Sequence, residues 1–318
     1  MDGTVGDLGE EGLVARIVQG AGAMPRGVVL GPGDDAAVVA CPDGSVVLTT
    51  DLLVEGRHFR RDWSGPADIG HRCVAESLAD VAAMGARPTS VVIGLGLPGD
   101  VEVAWVDEFL AAAVAECARG KAALVGGDVV SAETVIVCVT ATGDLGGHAP
   151  VTRSGACAGD VVAVCGRLGW AAAGLAVLSR GFRSPRALVD AHRRPEPPYD
   201  AGVRAAKAGA TALMDVSDGL LLDAGRLASA SGVTLSLESG CLEVGEPVAT
   251  AAAAYHVDPL VWVLGGGDDH ALLATFPEGT RLPKGFVRIG TVEAADGDAA
   301  VLVDGTVPEI DPGYRHFS

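Results

Sequence analysis

Apolar residues along this chain recur in two periods, one of two residues that marks strands and one near 3.6 that marks helices. Residues 12–20 fit a short helix, and the apolar run 28–30 leads into Gly31-Pro32-Gly33-Asp34-Asp35. Two β-rich runs follow, 36–40 and 45–50, and Cys41-Pro42-Asp43-Gly44 between them reads as a hairpin turn, with Asp51 closing the second strand. Helical spacing covers 66–84, with Gly85 as a left-handed stop. A strand over 89–95, an Ala-rich helix over 100–119, a strand over 122–125 ending at Gly126-Gly127-Asp128, and a β-run over 134–142 complete the first half.

The stretch 146–159 is rich in Gly, Pro and polar residues, and it predicts a boundary between a domain of residues 1–148 and one of 149–318. Beyond it the pattern predicts strand 160–165, helix 171–179, a proline-rich segment 195–198, helix 201–208, strand 212–215, helix 220–230 and several further strands. Strands and helices alternate in both halves. The class is therefore α/β (α+β), with two domains of mixed sheets and helices packed on one face. A length of 318 residues also exceeds the usual single core.

Charge narrows the partners. A formal net charge of −18 argues against nucleic acid and anionic membrane, which both reward basic patches. The seven cysteines are scattered, odd in number and never spaced Cys-x-x-Cys, as expected for reduced thiols. Met1-Asp2-Gly3-Thr4 carries no hydrophobic signal region and no apolar run is long enough to span a bilayer, so a cytoplasmic protein is expected.

Five aspartate clusters beside small residues carry the chemistry: Gly33-Asp34-Asp35, Thr49-Thr50-Asp51, Gly126-Gly127-Asp128, Asp215-Val216-Ser217-Asp218-Gly219 and Gly266-Gly267-Asp268-Asp269. Carboxylates on tight turns suit hard cations such as Mg²⁺. Each cluster also has a plain structural reading, as a turn, a strand end or a helix cap, with Ser217 or Asp218 placed to cap a helix near Leu220. Asp80, on a small-residue helical face with Glu76 one turn before it, reads first as a solvated acid. Arg153 in Arg153-Ser154-Gly155 is either a phosphate fork or a surface residue.

Other chemistries fit less well. Gly31-x-Gly33-x-x-Ala36 precedes a strand instead of opening a helix, and Gly94-x-Gly96-x-x-Gly99 contains Pro98 and has its next strand-end acid, Asp128, 29 residues after Gly99 where about 20 is usual, so a nicotinamide oxidoreductase rests on decoys. There is no P-loop lysine motif, no Gly-x-Ser-x-Gly elbow and no His-Glu-x-x-His helix.

Taken in order, Gly31-Pro32-Gly33-Asp34-Asp35-Ala36-Ala37, Thr49-Thr50-Asp51 through His58-Phe59, Leu78-Ala79-Asp80-Val81-Ala82-Ala83-Met84-Gly85-Ala86, Gly126-Gly127-Asp128, Thr152-Arg153-Ser154-Gly155, Asp215-Val216-Ser217-Asp218-Gly219-Leu220 and Gly266-Gly267-Asp268-Asp269 resemble the thiamine-monophosphate kinase family, within the aminoimidazole-ribonucleotide-synthetase-like superfamily. The resemblance covers nearly the whole chain. It implies transfer of the ATP γ-phosphoryl group to thiamine phosphate with several Mg²⁺ ions, an N-terminal domain that binds ATP and Mg²⁺, a C-terminal domain that completes the site, and a homodimer. Asp35, Thr49, Thr50, Asp51, Asp80, Asp128, Asp215 and Asp218 would be metal ligands by that resemblance. Gly127, Asp128, Arg153 and Ser217 would contact ATP, and His58, Asp268 and Tyr314 would face thiamine phosphate.

Three departures from the family pattern bear on substrate contact: Asp268 where Glu is usual, His270-Ala271 in place of an aromatic–acid pair, and Ser77 where Asn is frequent. The implied nucleophile is a phosphate oxygen that is already anionic, so no covalent nucleophile or general base is expected. Repulsion between two polyanions, about 4 kcal/mol per unit-charge pair at 4 Å and an effective dielectric near 20, is the obstacle that bound cations remove. A sister enzyme making selenophosphate would need a reactive Cys near the N-terminus, and none precedes Cys41. A non-catalytic nucleotide-binding regulator would bind ATP without turnover.

Overall fold

The first helix begins earlier than its apolar pattern predicts. The Asp7 amide donates to Thr4 Oγ1 at 3.2 Å and the Thr4 amide donates to Asp7 Oδ2 at 3.0 Å. This reciprocal cap satisfies two end amides, so α1 spans Val5–Gly20. The computed structural model describes residues 4–22, 24–25, 27–30 and 38–314, and the Gly33-Asp34-Asp35 turn, with Asp35, lies outside the described residues.

Two compact units emerge, Met1–Val81 with Arg87–Gly147, and Ala82–Ala86 with His148–Ser318. The first contains β1 (Val28–Leu30), β2 (Val38–Val39), β3 (Val47–Val54), α2 (Pro66–Ala83), β4 (Arg87–Leu97), α3 (Val103–Arg119), β5 (Ala123–Ser131) and β6 (Ile136–Asp144). Its four-stranded sheet has the order β3-β6-β4-β5, with only the β4–β5 pair parallel.

Three local expectations are corrected here. The turn at 41–44 forms, with the Gly44 amide on the Cys41 carbonyl at 3.2 Å, but it joins two different sheets and makes no hairpin. β2 pairs with β1, while β3 finds β6 in register along its whole length. Asp51 lies inside β3 and does not close it, and Gly126-Gly127-Asp128 continue β5 as far as Ser131. In both cases the ladder with a neighbouring strand outweighs the turn propensity of Asp and Gly. α2 does end as expected, with Gly85 at φ +75°.

Alternation along β3 sorts its side chains. Leu53 is buried with Val137, Val139, Val91 and Leu95 on one face of the sheet. On the other face Leu48 and Leu52 are 66% and 53% exposed, an apolar surface that no described residue of this unit covers.

The second unit contains β7 (Val161–Cys165), α4 (Trp170–Ser179), α5 (Arg186–Arg193), α6 (Tyr199–Lys207), β8 (Ala212–Val216), α7 (Leu220–Ser231), β9 (Val233–Leu237), α8 (Glu246–Tyr255), α9 (Pro259–Gly265), β10 (Ala271–Phe276), β11 (Phe286–Ala294) and β12 (Ala300–Val303). Its six strands run in the order β12-β9-β11-β7-β10-β8, and only β12–β9 is parallel. All six residues of β10 are buried, which explains why five of them are apolar and do not alternate with polar ones. α7 packs along β8, β9 and β12, closing a core around Met214, Leu220, Leu227 and Leu235. Helix α5 is absent from the sequence-based expectation because prolines flank it; Pro185 sits at its N-cap, ahead of the helical amides. Both units are mixed sheets with helices, the expected α/β (α+β) class. Among the described residues the cysteines are free and no helix is long and apolar enough to cross a membrane.

Asp269 fastens the segment before β10 to the start of α4. Its Oδ2 accepts from the Trp170 amide at 3.0 Å and its Oδ1 from the Ala171 amide at 2.9 Å. Burial pushes its carboxyl up to about 7, against the opposing pull of the Ala171 amide and Arg167. The fold therefore keeps a proton that the unfolded chain releases near 3.8. Stability from this group is fully present below that value and is lost as pH rises towards about 7. We expect the Tm to fall between about pH 5 and about pH 7.5, and Asp269→Asn to flatten much of that fall. Melting curves across the range decide it, and equal slopes for the two proteins would contradict the assignment.

Candidate active site

The alternation of β3 divides Thr49-Thr50-Asp51. Thr49 and Asp51, two apart on the strand, face Asp80 and Ser77, three apart on α2. Thr49 Oγ1 donates to Asp80 Oδ2 at 2.6 Å, and Ser77 Oγ donates to Asp51 Oδ2 at 2.7 Å. Asp80 is thus no solvated surface acid: it is half-buried against the strand. Thr50 points to the opposite, open face, where its Oγ1 donates to the Val139 carbonyl at 3.1 Å and lies 3.1 Å from Thr140 Oγ1.

Asp128 stands apart from this group. It is exposed on β5, at the far edge of the sheet from β3, with its Oδ1 accepting the Val129 amide at 2.9 Å. Three inter-strand steps of about 4.8 Å separate the two edges by about 14 Å. Register carries Asp128 across to Gly94, Cys138 and Leu52, so it shares the open face with Thr50 and not the helix-covered face of Asp51. Within one copy of the first unit, Asp128 and the Asp51–Asp80 pair are not brought together. Gly127 has a packing reason to be glycine, since a Cβ there would lie 2.0 Å from the Ile93 carbonyl oxygen. Gly126, Gly127 and Asp128 line a cavity of about 900 Å³ with Val92, Phe109 and Leu124. His58 closes the turn after β3, its Nδ1 accepting the Val54 amide at 3.0 Å.

In the second unit three backbone segments converge at one end of the six-stranded sheet. The Asp268 amide donates to the Ser217 carbonyl at 2.8 Å, the His270 amide to Val216 at 3.1 Å and the Tyr314 amide to Asp218 at 2.9 Å. Gly267 and Gly313 allow the approach: a Cβ would fall 2.4 Å from the Ser217 oxygen and 2.3 Å from the Asp218 oxygen. Asp215, Ser217, Asp218, Asp268 and Tyr314 are thereby gathered in one place. Asp268 takes a left-handed φ of +67°, a conformation favoured by Gly and tolerated by Asp. Tyr314 is exposed.

Sequence reasoning missed two groups here. His270 Nδ1 lies 3.1 Å from Asp215 Oδ2, with both residues buried. Its only signal was the departure at His270-Ala271. The other group is Asp223. Neither Ser217 nor Asp218 caps α7; Gly219 is the N-cap and has no side chain to offer. Asp223 reaches back from within the helix, and its Oδ2 accepts the Asp218 amide at 2.9 Å and the Gly219 amide at 3.2 Å. Burial pushes its carboxyl up to about 6, with the Asp218 amide pulling the other way. Arg226 Nη1 bridges Asp223 Oδ1 at 2.5 Å and Asp218 Oδ2 at 2.6 Å. Arg153 shares with Arg226 a groove of about 530 Å³ that Leu222, Gly225 and Pro312 also line.

These donors fit Mg²⁺. They are carboxylates and hydroxyls, hard oxygens on regular elements, and the guanidinium between Asp218 and Asp223 shows that this pair already holds positive charge.

Comparison with known proteins places this architecture. Residues 33–145 match the family described as AIR synthase related protein, N-terminal domain. A thiamine-monophosphate kinase of Mycobacterium tuberculosis is 47% identical over 303 residues, which is 95% of this chain and 90% of that protein. A structure of AaThiL complexed with AMPPCP and TMP shares 34% identity, covers 98% of both chains and superposes with a TM-score of 0.81. The thiamine-monophosphate kinase of Stenotrophomonas maltophilia superposes with a TM-score of 0.83 at 31% identity, covering 93% of this chain and 96% of that one. This chain belongs to the thiamine-monophosphate kinase family.

Proposed function

We propose that this chain transfers the γ-phosphoryl group of ATP directly to a phosphate oxygen of thiamine phosphate, giving ADP and thiamine diphosphate. The observation that carries this reading is the near full-length match to a relative bound to AMPPCP and TMP. The donor chemistry supports it. The attacking oxygen is anionic at neutral pH, so the chain must position two polyanions and need not deprotonate anything. Bound Mg²⁺ would cancel phosphate charge and favour an in-line displacement. For that, Ser77 and Thr49 hold the carboxylates of Asp51 and Asp80 in fixed orientations.

We assign Asp35, Thr49, Thr50, Asp51, Asp80, Asp128, Asp215 and Asp218 to the metal ions, Gly127, Asp128, Arg153 and Ser217 to ATP, and His58, Asp268 and Tyr314 to thiamine phosphate. Residues 1–148 would hold ATP and Mg²⁺, and 149–318 would complete the site. The working form in this reading is a cytoplasmic homodimer. An exposed apolar sheet face, with Leu48 and Leu52 on it, is what a second copy would cover. The free edges β3 and β5 support the same reading. A two-fold axis parallel to the strands would set β5 of one copy beside β3 of the other, bringing Asp128 to the edge and face that carry the partner copy's Thr50.

Incubation with ATP, Mg²⁺ and thiamine phosphate should yield ADP and thiamine diphosphate, read by chromatography; folded protein that forms neither sinks the kinase assignment. Asp128→Asn should lower kcat by about 100-fold or more with an unchanged circular dichroism spectrum. If Asp128 serves the partner's site, mixing Asp128→Asn with Asp51→Asn restores about a quarter of wild-type activity, because half of randomly paired dimers are mixed and each has one intact site. Mixtures as inactive as their components would place Asp128 elsewhere.

A further inference from the structure

Arg226 projects from α7 between two carboxylates of unequal standing. Asp223 is wholly buried, and its second oxygen is committed to the Asp218 and Gly219 amides. Asp218 is partly exposed and meets Arg226 through Oδ2 at 2.6 Å. We propose that Arg226 is a positioning residue that holds Asp218 when no metal is bound and competes with Mg²⁺ for its carboxylate. The proposal rests on the reading of Asp218 as a metal ligand.

The competition is balanced finely enough to work as a switch. The Arg226 and Asp218 side chains are 40% and 21% exposed, so water screens their attraction and the pair is a weak one. A doubly charged ion offers Asp218 a stronger partner, whereas a fully buried pair would resist exchange. Release leaves no charge bare, because Arg226 keeps Asp223 Oδ1 at 2.5 Å. The guanidinium also has room to move. Arg226 itself lines the groove of about 530 Å³ that Arg153 also lines.

Isothermal titration of Mg²⁺ into the full chain without nucleotide tests this across wild type, Arg226→Gln, Asp218→Asn and the double variant. Arg226→Gln should bind Mg²⁺ about fivefold more tightly, and the gain should vanish in the Asp218→Asn background. Arg226→Lys keeps the charge without the planar guanidinium and should fall between the two. A gain that persists without the Asp218 carboxylate would make Arg226 a distant charge only and overturn the proposal. Unchanged or weaker binding in Arg226→Gln, where Asp218→Asn alone weakens binding, overturns it and leaves Asp218 a metal ligand. If Asp218→Asn leaves wild-type affinity untouched, both readings fall. Should Arg226→Gln not fold, an Arg226→Lys affinity equal to wild type overturns the proposal by itself.

Discussion

Carboxylates held close together are the constraint on which the rest of this structure depends. Like charges at short range repel and raise each other's pKa unless something donates to them. Asp51, Asp80, Asp128, Asp215, Asp218, Asp223 and Asp269 each have a named donor or partner. Thr49 serves Asp80, Ser77 serves Asp51, His270 lies against Asp215, and Arg226 spans Asp218 and Asp223. Asp128 accepts its neighbour's amide, and Asp269 takes two amides at a helix start. The strands and helices that deliver these donors are what make the acids geometrically fixed.

The same constraint explains the exposed sheet face. Packing both faces of the four-stranded sheet inside one copy would bury Thr50 and Asp128. Leaving one face open keeps Thr50 and Asp128 accessible, at the cost of exposing Leu48 and Leu52. Apolar exposure on that scale marks a surface that meets something.

Much of the fold was legible in the sequence because element type follows from period, and the periods here are regular. What period cannot carry is the partner of a strand. The run at 45–50 reads as half of a hairpin, yet β3 lies against β6, some ninety positions on. Gly126-Gly127-Asp128 read as a strand end because Gly and Asp favour turns, while β4 supplies a ladder that carries β5 past them. Asp80 was open to two readings for a similar reason. Its solvated reading follows from α2 alone, and only β3, about thirty residues earlier, removes it. Asp223 gave no signal, since an aspartate in an amphipathic helix is ordinary until its side chain is seen reaching back to the turn.

The donors differ in kind, and the difference has consequences for cation binding. Thr49 and Ser77 are neutral. They orient Asp80 and Asp51 and carry no charge of their own. An arginine orients as well, but it also neutralises, and an incoming cation must then displace it or share the carboxylate with it. Hydroxyls therefore hold Asp51 and Asp80 in a preorganised frame, whereas Asp218 shares its charge with Arg226. Two ways of holding an acid thus coexist in one chain. On the proposed role of Asp218 as a metal ligand, the guanidinium-held acid would make cation binding conditional on a rearrangement.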